Sequence, residues 1–418
     1  MKRLSLLIAL ASAVALPRAA RADDCDKLHE DDPQHPAPIV YMQVGDTQVN
    51  LMKRLGRAMR DNGHPVRMVF ITDPSCTNIN TIYGQTSTTI PKGQTLQYLP
   101  SKLEDPAWDA GNPMHSATLT CSAPAAIVPH VANSALFNSA CPAPPATPGG
   151  LTVVPVQGPT QAYVLAVPTA AVPNAITFEE AYFVFGFGMQ GMIAPWVDEK
   201  QLFIRKPTTS TLLAWAANLG IPAGKFLGVQ EPGSPDVTAA VQSGTQASIG
   251  ILGAEVYDGN RTTLKALAYR AKGQYAAYYP DSSFAARDKK NVRDGHYTVW
   301  SPTVWMYTKD ASGAPTDPDA KYIVDLITGS PLDAGMPAPT GFSVIADAIA
   351  PVGLVPTCAM QVNRDFEGGE LRRFTPPTSC TCTYEKATIP NKPSACAACD
   401  ANTPCATGVC REGLCEAR

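Results

Sequence analysis

The 418-residue chain is poor in several features that mark chemistry on sight: aromatic residues make up 7% and charged residues 17% of it. Its six histidines, His29, His35, His64, His115, His130 and His296, are scattered without metal-ligand spacing. There is no Gly-x-Ser-x-Gly elbow and no His-Glu-x-x-His pair, and the carboxylates show no pairing that marks acid–base work. The one hydrolytic suggestion is His130 near Ser134, four positions apart on a predicted loop. Beyond the N-terminal segment no stretch reaches about 18 uninterrupted apolar residues, so no later helix is expected to cross a membrane. Positive charge is not in excess either. Removing Lys2, Arg3, Arg18 and Arg21 from the 33 basic side chains leaves 29 against 36 acidic ones, a net charge near −7. That argues against a nucleic-acid partner. It does not forbid a small anion, because local dipoles decide binding at short range.

What the chain does hold points outside the cytoplasm. Lys2 and Arg3 precede the apolar run 4–16, and Ala20-Arg-Ala22 offers small residues at cleavage spacing. This reads as a secretory signal peptide over residues 1–22, hence a periplasmic or secreted protein. About 396 residues would remain, enough for two or three domains. Twelve cysteines divide unevenly: Cys25, Cys76, Cys121 and Cys141 lie early, and the other eight crowd residues 358–418. An even count behind a signal peptide reads as disulfides of unspecified connectivity. Zinc and a redox pair are the rival readings of Cys396-x-x-Cys399. The 39 prolines fall mostly in loops.

The body alternates short strands with helices, predicting an α/β fold with largely parallel sheets. Residues 39–44 form a strand candidate, Gly45-Asp-Thr47 a turn, 49–60 an amphipathic helix and 66–71 a second strand. Lys53, Arg57 and Arg60 are expected on the helix's solvated face. Residues 151–156 and 162–167 read as consecutive strands, and 176–185 as a helix capped by Thr177. Further helices are expected at 236–242, 317–328 and 343–349, with a strand at 247–253. From residue 358 the composition changes to a small cysteine-stapled tail.

The most informative stretch is Arg205-Lys-Pro-Thr-Thr-Ser-Thr211, which follows an apolar strand pattern and leads into the helical Leu212-Leu-Ala-Trp215. A helix start leaves backbone N–H groups unpaired and carries about half a positive charge. Hydroxyls and an arginine beside it make an oxyanion cradle. The plain alternative is a capped helix, worth about 1 kcal/mol, which needs a single hydroxyl.

The order of these elements resembles the phosphate-type substrate-binding proteins of ABC importers, which have the type 2 periplasmic binding fold. The resemblance spans roughly residues 36–350. It rests on Gly45-Asp-Thr47, Ile176-Thr-Phe-Glu-Glu180, Arg205 with Thr209-Ser-Thr211, Gln246-Ala-Ser-Ile-Gly250 and Gly295-His-Tyr-Thr-Val-Trp300. It implies two lobes, with residues 36–150 and 271–350 in one and 151–270 in the other, and a cysteine-rich tail over 358–418. It also implies a small oxyanion bound between the lobes by Thr47, Ser75, Ser134, Arg205, Thr209, Ser210 and Thr211. No catalysis, cofactor or metal is implied. The expected partner is an importer permease or another envelope protein.

Three departures weaken the implication of phosphate. Ser210 stands where the family has glycine, narrowing the approach of backbone to ligand. Asp46 adds negative charge beside the first loop. Ala135 stands where the family has a carboxylate that accepts the proton of hydrogen phosphate. These departures support a second reading, a degenerate binding fold reused as a secreted or cell-surface interaction module.

Overall fold

The computed structural model describes residues 23–28, 36–60, 62–101, 104–105, 118–389 and 396–416. The predicted signal peptide lies outside them.

Lobe 1 begins with β1 (Ile39–Val44), α1 (Val49–Arg60), β2 (Arg67–Thr72) and α2 (Ser75–Gly84), then β3 (Thr95–Tyr98), β4 (Leu119–Ser122) and β5 (Val131–Ser134). In α1 the spacing of Leu51, Met52, Leu55 and Met59 places all four in the lobe 1 core. Arg57 does not share the solvated face expected for it. It is buried and pairs with Asp105 at 3.3 Å while donating to the carbonyl of Pro100.

The chain then enters β6 (Thr152–Pro168), a single 17-residue strand where two were expected. The expected strands 151–156 and 162–167 run on through Gly158-Pro159 because pairing with the long return strand β13 (Trp300–Lys309) keeps the chain extended, with a register shift between Pro302 and Val304. The glycine is needed for closeness, not flexibility: a Cβ there would sit 2.7 Å from Cδ1 of Trp305.

Lobe 2 lies between these two crossing strands in sequence. It comprises β7 (Ala175–Thr177), α3 (Phe178–Phe187), β8 (Leu202–Arg205), α4 (Ser210–Leu219), β9 (Val229–Glu231), α5 (Ser234–Ser243), β10 (Ile249–Gly253), α6 (Ala254–Gly259), β11 (Leu264–Ala266), β12 (Ala268–Arg270) and α7 (Lys290–Arg293). After β13 come α8 (Pro318–Thr328), a π-helical turn over Val344–Ile349, β14 (Val362–Asn363), β15 (Arg372–Arg373), α9 (Thr381–Thr388), β16 (Val409–Arg411) and β17 (Leu414–Glu416).

The two lobes repeat one strand order. Lobe 1 runs β2-β1-β5 in parallel, then antiparallel β13, then the first part of β6. Lobe 2 runs β9-β8-β10 in parallel, then the antiparallel second part of β6, then β11. In each lobe the antiparallel strand arrives from the other lobe. The sheets are therefore mixed: parallel centres close on antiparallel returns. In such sheets ligands bind outside the carboxyl ends of the parallel strands, where strand order reverses. Here that is beyond β1 and β8.

All twelve cysteines are paired: Cys25–Cys121, Cys76–Cys141, Cys358–Cys380, Cys382–Cys396, Cys399–Cys410 and Cys405–Cys415. The C-terminal region is less separate than its composition implied. Ala350, Val355, Ala359, Met360, Cys380 and Tyr384 are buried in the lobe 2 core. The segment also grips β6, through reciprocal backbone bonds between Thr160 and Val355 and a bond from Thr357 to the carbonyl of Gly158.

Candidate functional site

The carboxyl ends of the parallel strands of both lobes open into one cavity of about 650 Å³. Lobe 1 lines it with the turn after β1, including Asp46 and Thr47, and the turn after β2, including Asp73 and Ser75. Lobe 2 lines it with Arg205, Lys206, Thr209 and Ser210 after β8, Gly233 to Asp236 after β9, and Glu255 after β10.

Five of the seven sequence-derived residues line this cavity: Thr47, Ser75, Arg205, Thr209 and Ser210. Thr47 donates its hydroxyl to Gln161 of β6 at 3.2 Å, and Gln48 donates to the same oxygen at 2.6 Å, tying the first turn to a crossing strand. Ser75 accepts the backbone N–H of Ala135 at 3.1 Å. Thr209 donates to the carbonyl of Lys206 at 2.8 Å and lies 3.3 Å from the hydroxyl of Thr211. Thr211 is buried one step behind the cavity wall. Ser134 is fully buried and donates to the carbonyl of Leu136 at 2.9 Å, so its hydroxyl is taken up inside lobe 1. The His130–Ser134 pair does not form: His130 lies 2.6 Å from Asp317 instead. Ala135 is buried, and its carbonyl accepts from Tyr163 of β6.

Away from the cavity, α3 and α8 carry side-chain caps of their own, and the first turns of α7 and α9 are bonded by Asp288 and Glu416. Thr177 and Glu180 form a reciprocal capping box on α3, and Asp317 accepts from two amides of α8. At the cavity, α2, α4 and α5, each ten residues long, have no side-chain cap of their own. Thr209 occupies the N-cap position of α4 without bonding its first turn, which is not the plain capped helix that the sequence allowed. Three dipole ends, one from lobe 1 and two from lobe 2, thus converge on one space, although at α5 the amide of Ser234 is already bonded to Asp46 and Pro235 has no N–H.

The electrostatics are mixed. Arg205 donates from one terminal nitrogen to Asp46 at 2.9 Å and from the other to the carbonyl of Glu231 at 3.2 Å. Burial lowers its pKa, and Asp46, Asp236 and Glu231 oppose that shift. Its Nε is buried without a hydrogen-bond partner among the described residues. Glu255 is 5% exposed, and neither carboxyl oxygen has a side-chain partner among the described residues. Burial pushes its pKa well above the ordinary 4.5; its own backbone N–H opposes this, and Asp46 and Asp258 add to it. The carboxyl folds over Gly253, where a Cβ would lie 2.0 Å from Oε1.

Sequence reading missed Ser234, Glu255, Gln161 and Tyr163. Ser234 had a signal: Gly233-Ser-Pro-Asp236 repeats the strand–hydroxyl–helix pattern of 205–211. Glu255 had none, since its burial comes from the packing of α6 behind β10. Among the described residues, the one group of three side chains close enough to share a metal ion is Cys399, Cys405 and Cys415, and those sulfurs are in disulfides.

Two α/β lobes and two crossing strands thus enclose a cleft onto which helix starts open. No family model matches the chain, and no curated protein does. Among solved structures it is similar to a phosphate ABC transporter substrate-binding protein with bound phosphate from Clostridium perfringens, at 13% identity and TM-score 0.48, over 76% of this chain and 99% of that one. It is also similar to an ABC-type phosphate transport receptor from Vibrio cholerae, at 10% identity and TM-score 0.41, over 68% and 92%. The regulatory domain of OxyR from Pseudomonas aeruginosa gives 8% identity and TM-score 0.36, over 69% and 93%. Likenesses at these scores assign no ligand, and transporters and a regulator share them.

Proposed function

We propose that this protein is a periplasmic or secreted solute-binding protein that captures a small oxyanion in the inter-lobe cleft without chemistry. The observation that supports this best is the convergence of three helix starts on one cavity: α2 and α4 without side-chain caps, and α5 with the carboxylate of Asp46 on its first amide. An anion there would accept from backbone N–H groups already fixed by their helices and from the hydroxyl of Ser75, and from those of Thr47 and Thr209 once they turn from Gln161 and from the carbonyl of Lys206. It would add the charge that the dipole ends favour. Arg205 supplies the cation at the lobe 2 wall. The six disulfides fit an oxidising compartment, and an importer permease is the partner this role implies.

The test is thermal melting of the protein against phosphate, sulfate, nitrate and small carboxylates. A ligand at 100 times its Kd stabilises by about 2.7 kcal/mol, which raises Tm measurably. No shift with any oxyanion at millimolar concentration would sink the proposal.

One observation favours a second reading. Asp46 already sits on Arg205, so the cleft holds a charge of the ligand's sign. In an interaction module with a filled cleft, substituting Thr209 and Thr211 by alanine leaves the biological activity intact; in a solute carrier it abolishes it.

A further inference from the structure

The carboxylate of Asp46 is held as a bound ligand would be. It comes from lobe 1, and all its bonds shown here are to lobe 2. Its Oδ2 accepts from a terminal nitrogen of Arg205 at 2.9 Å, from the backbone N–H of Ser234 at 3.1 Å and from the hydroxyl of Ser234 at 3.0 Å. Cation, hydroxyl and first-turn amide together form a complete cradle for one carboxylate oxygen. The side chains around it are built in. Arg205 is 4% and Ser234 2% exposed, and Arg205 is further anchored to the carbonyl of Glu231. Two groups at the same cavity have no hydrogen-bond partner among the other described residues: Nε of Arg205 and the carboxyl of Glu255. Asp46 alone does not satisfy the site.

We infer that lobe 2 carries a carboxylate-binding subsite whose resident occupant is Asp46 of lobe 1, so that the cleft is self-liganded and an incoming solute must displace a tethered carboxylate. This rests on reading the cleft as a ligand site. It also narrows the solute. The cavity is lined by the carboxylates of Asp46, Asp73 and Asp236 against the cations of Arg205 and Lys206. A second negative charge on the ligand would face more like charges than unlike ones. A monoanion, carboxylate first, fits where a dianion does not. The carboxyl of Glu255 is placed to meet a donor on the same ligand.

The experiment uses the full mature chain with Asp46→Ala, and Asp46→Ser as a second variant that keeps a hydroxyl in the turn. Acetate stands in for the missing side chain. The expected result is a saturable rise in Tm with acetate in both variants. No rise is expected in the wild type at the same concentrations, nor in Asp46→Ala combined with Arg205→Ala. Sulfate at equal ionic strength controls for salt and is expected to give a smaller shift than acetate. A folded Asp46→Ala or Asp46→Ser protein that ignores acetate overturns the inference, as does an acetate response that survives loss of Arg205. The outcome is separable from that of the proposed function. A wild type that answers no oxyanion, beside an Asp46→Ala protein that binds acetate, upholds the internal ligand and refutes solute capture by the native chain.

Discussion

At the scale of single residues, the cavity wall combines groups that the sequence announced with groups it hid. Glu255 gives the sharpest residue-level prediction. Its native pKa is raised above the ordinary 4.5, chiefly by burial, so the folded protein holds a proton that the unfolded chain has released above that pH. Stability contributed by this group is therefore full below about pH 4.5 and is lost as pH rises toward the native value. Replacing Glu255 by Gln removes that slope. Urea midpoints of wild type and variant, followed from pH 4 to pH 8, are expected to diverge as pH rises, with the variant gaining. Parallel profiles would contradict the burial argument. Thr47, Ser75, Arg205, Thr209 and Ser210 were legible because a hydroxyl between a strand and a helix is a local pattern. Glu255 was not, because its isolation depends on what packs around α6. Ser134 read like the others in sequence. Its neighbours differ: it sits inside lobe 1, where Leu136 takes its proton.

At the scale of elements, the helix starts at the cleft are held by covalent and tertiary means in place of caps. Cys76 in the first turn of α2 is bonded to Cys141, 65 residues on, and Ser75 beside it receives the amide of Ala135. Closing a loop of that length in the unfolded chain contributes roughly 4 kcal/mol in the chain-entropy account. Replacing both Cys76 and Cys141 by Ser is expected to lower the denaturation free energy by about that amount and to weaken ligand response through the Ser75 turn. An unchanged urea midpoint would show that the bond does not hold α2. The local signals gave most elements at their observed places: Thr177 capped its helix, and residues 49–60 formed α1 as their periodicity required. The failures were tertiary. Residues 151–156 and 162–167 read as two strands, but pairing with β13 against Trp305 keeps β6 extended through Gly158-Pro159. Arg57 looked solvated, but Asp105 and Pro100 enclose it.

At the scale of the whole molecule, two copies of one strand order face each other across the cavity, and the C-terminal region binds them from behind. Beyond Thr160 and Thr357 on β6, Glu367 accepts from Ser301 of β13 at 2.5 Å, and Arg293 pairs with Glu385 of α9 at 2.8 Å. The last disulfide-rich segment docks through Glu416, whose carboxylate caps α9 at Cys382 and Thr383. A chain stopped after residue 378 loses Cys380 and Tyr384 from the lobe 2 core. It is expected to melt without a cooperative transition; a cooperative melt near that of the full chain would show the region to be a free appendage. The α/β character was legible because strands alternate with helices along the sequence, while the division into two lobes was implied only by the family resemblance. The clasp was not, because eight clustered cysteines look the same whether they staple a free module or a buried one. Anion capture by three helix starts is tested most directly by backbone amide shifts in an oxyanion and carboxylate titration. It predicts that the amides of Ser75 and Cys76, of Ser210 to Leu212, and of Ser234 shift together and saturate with one ligand. Shifts confined to other surfaces, or none at millimolar concentration, would contradict it.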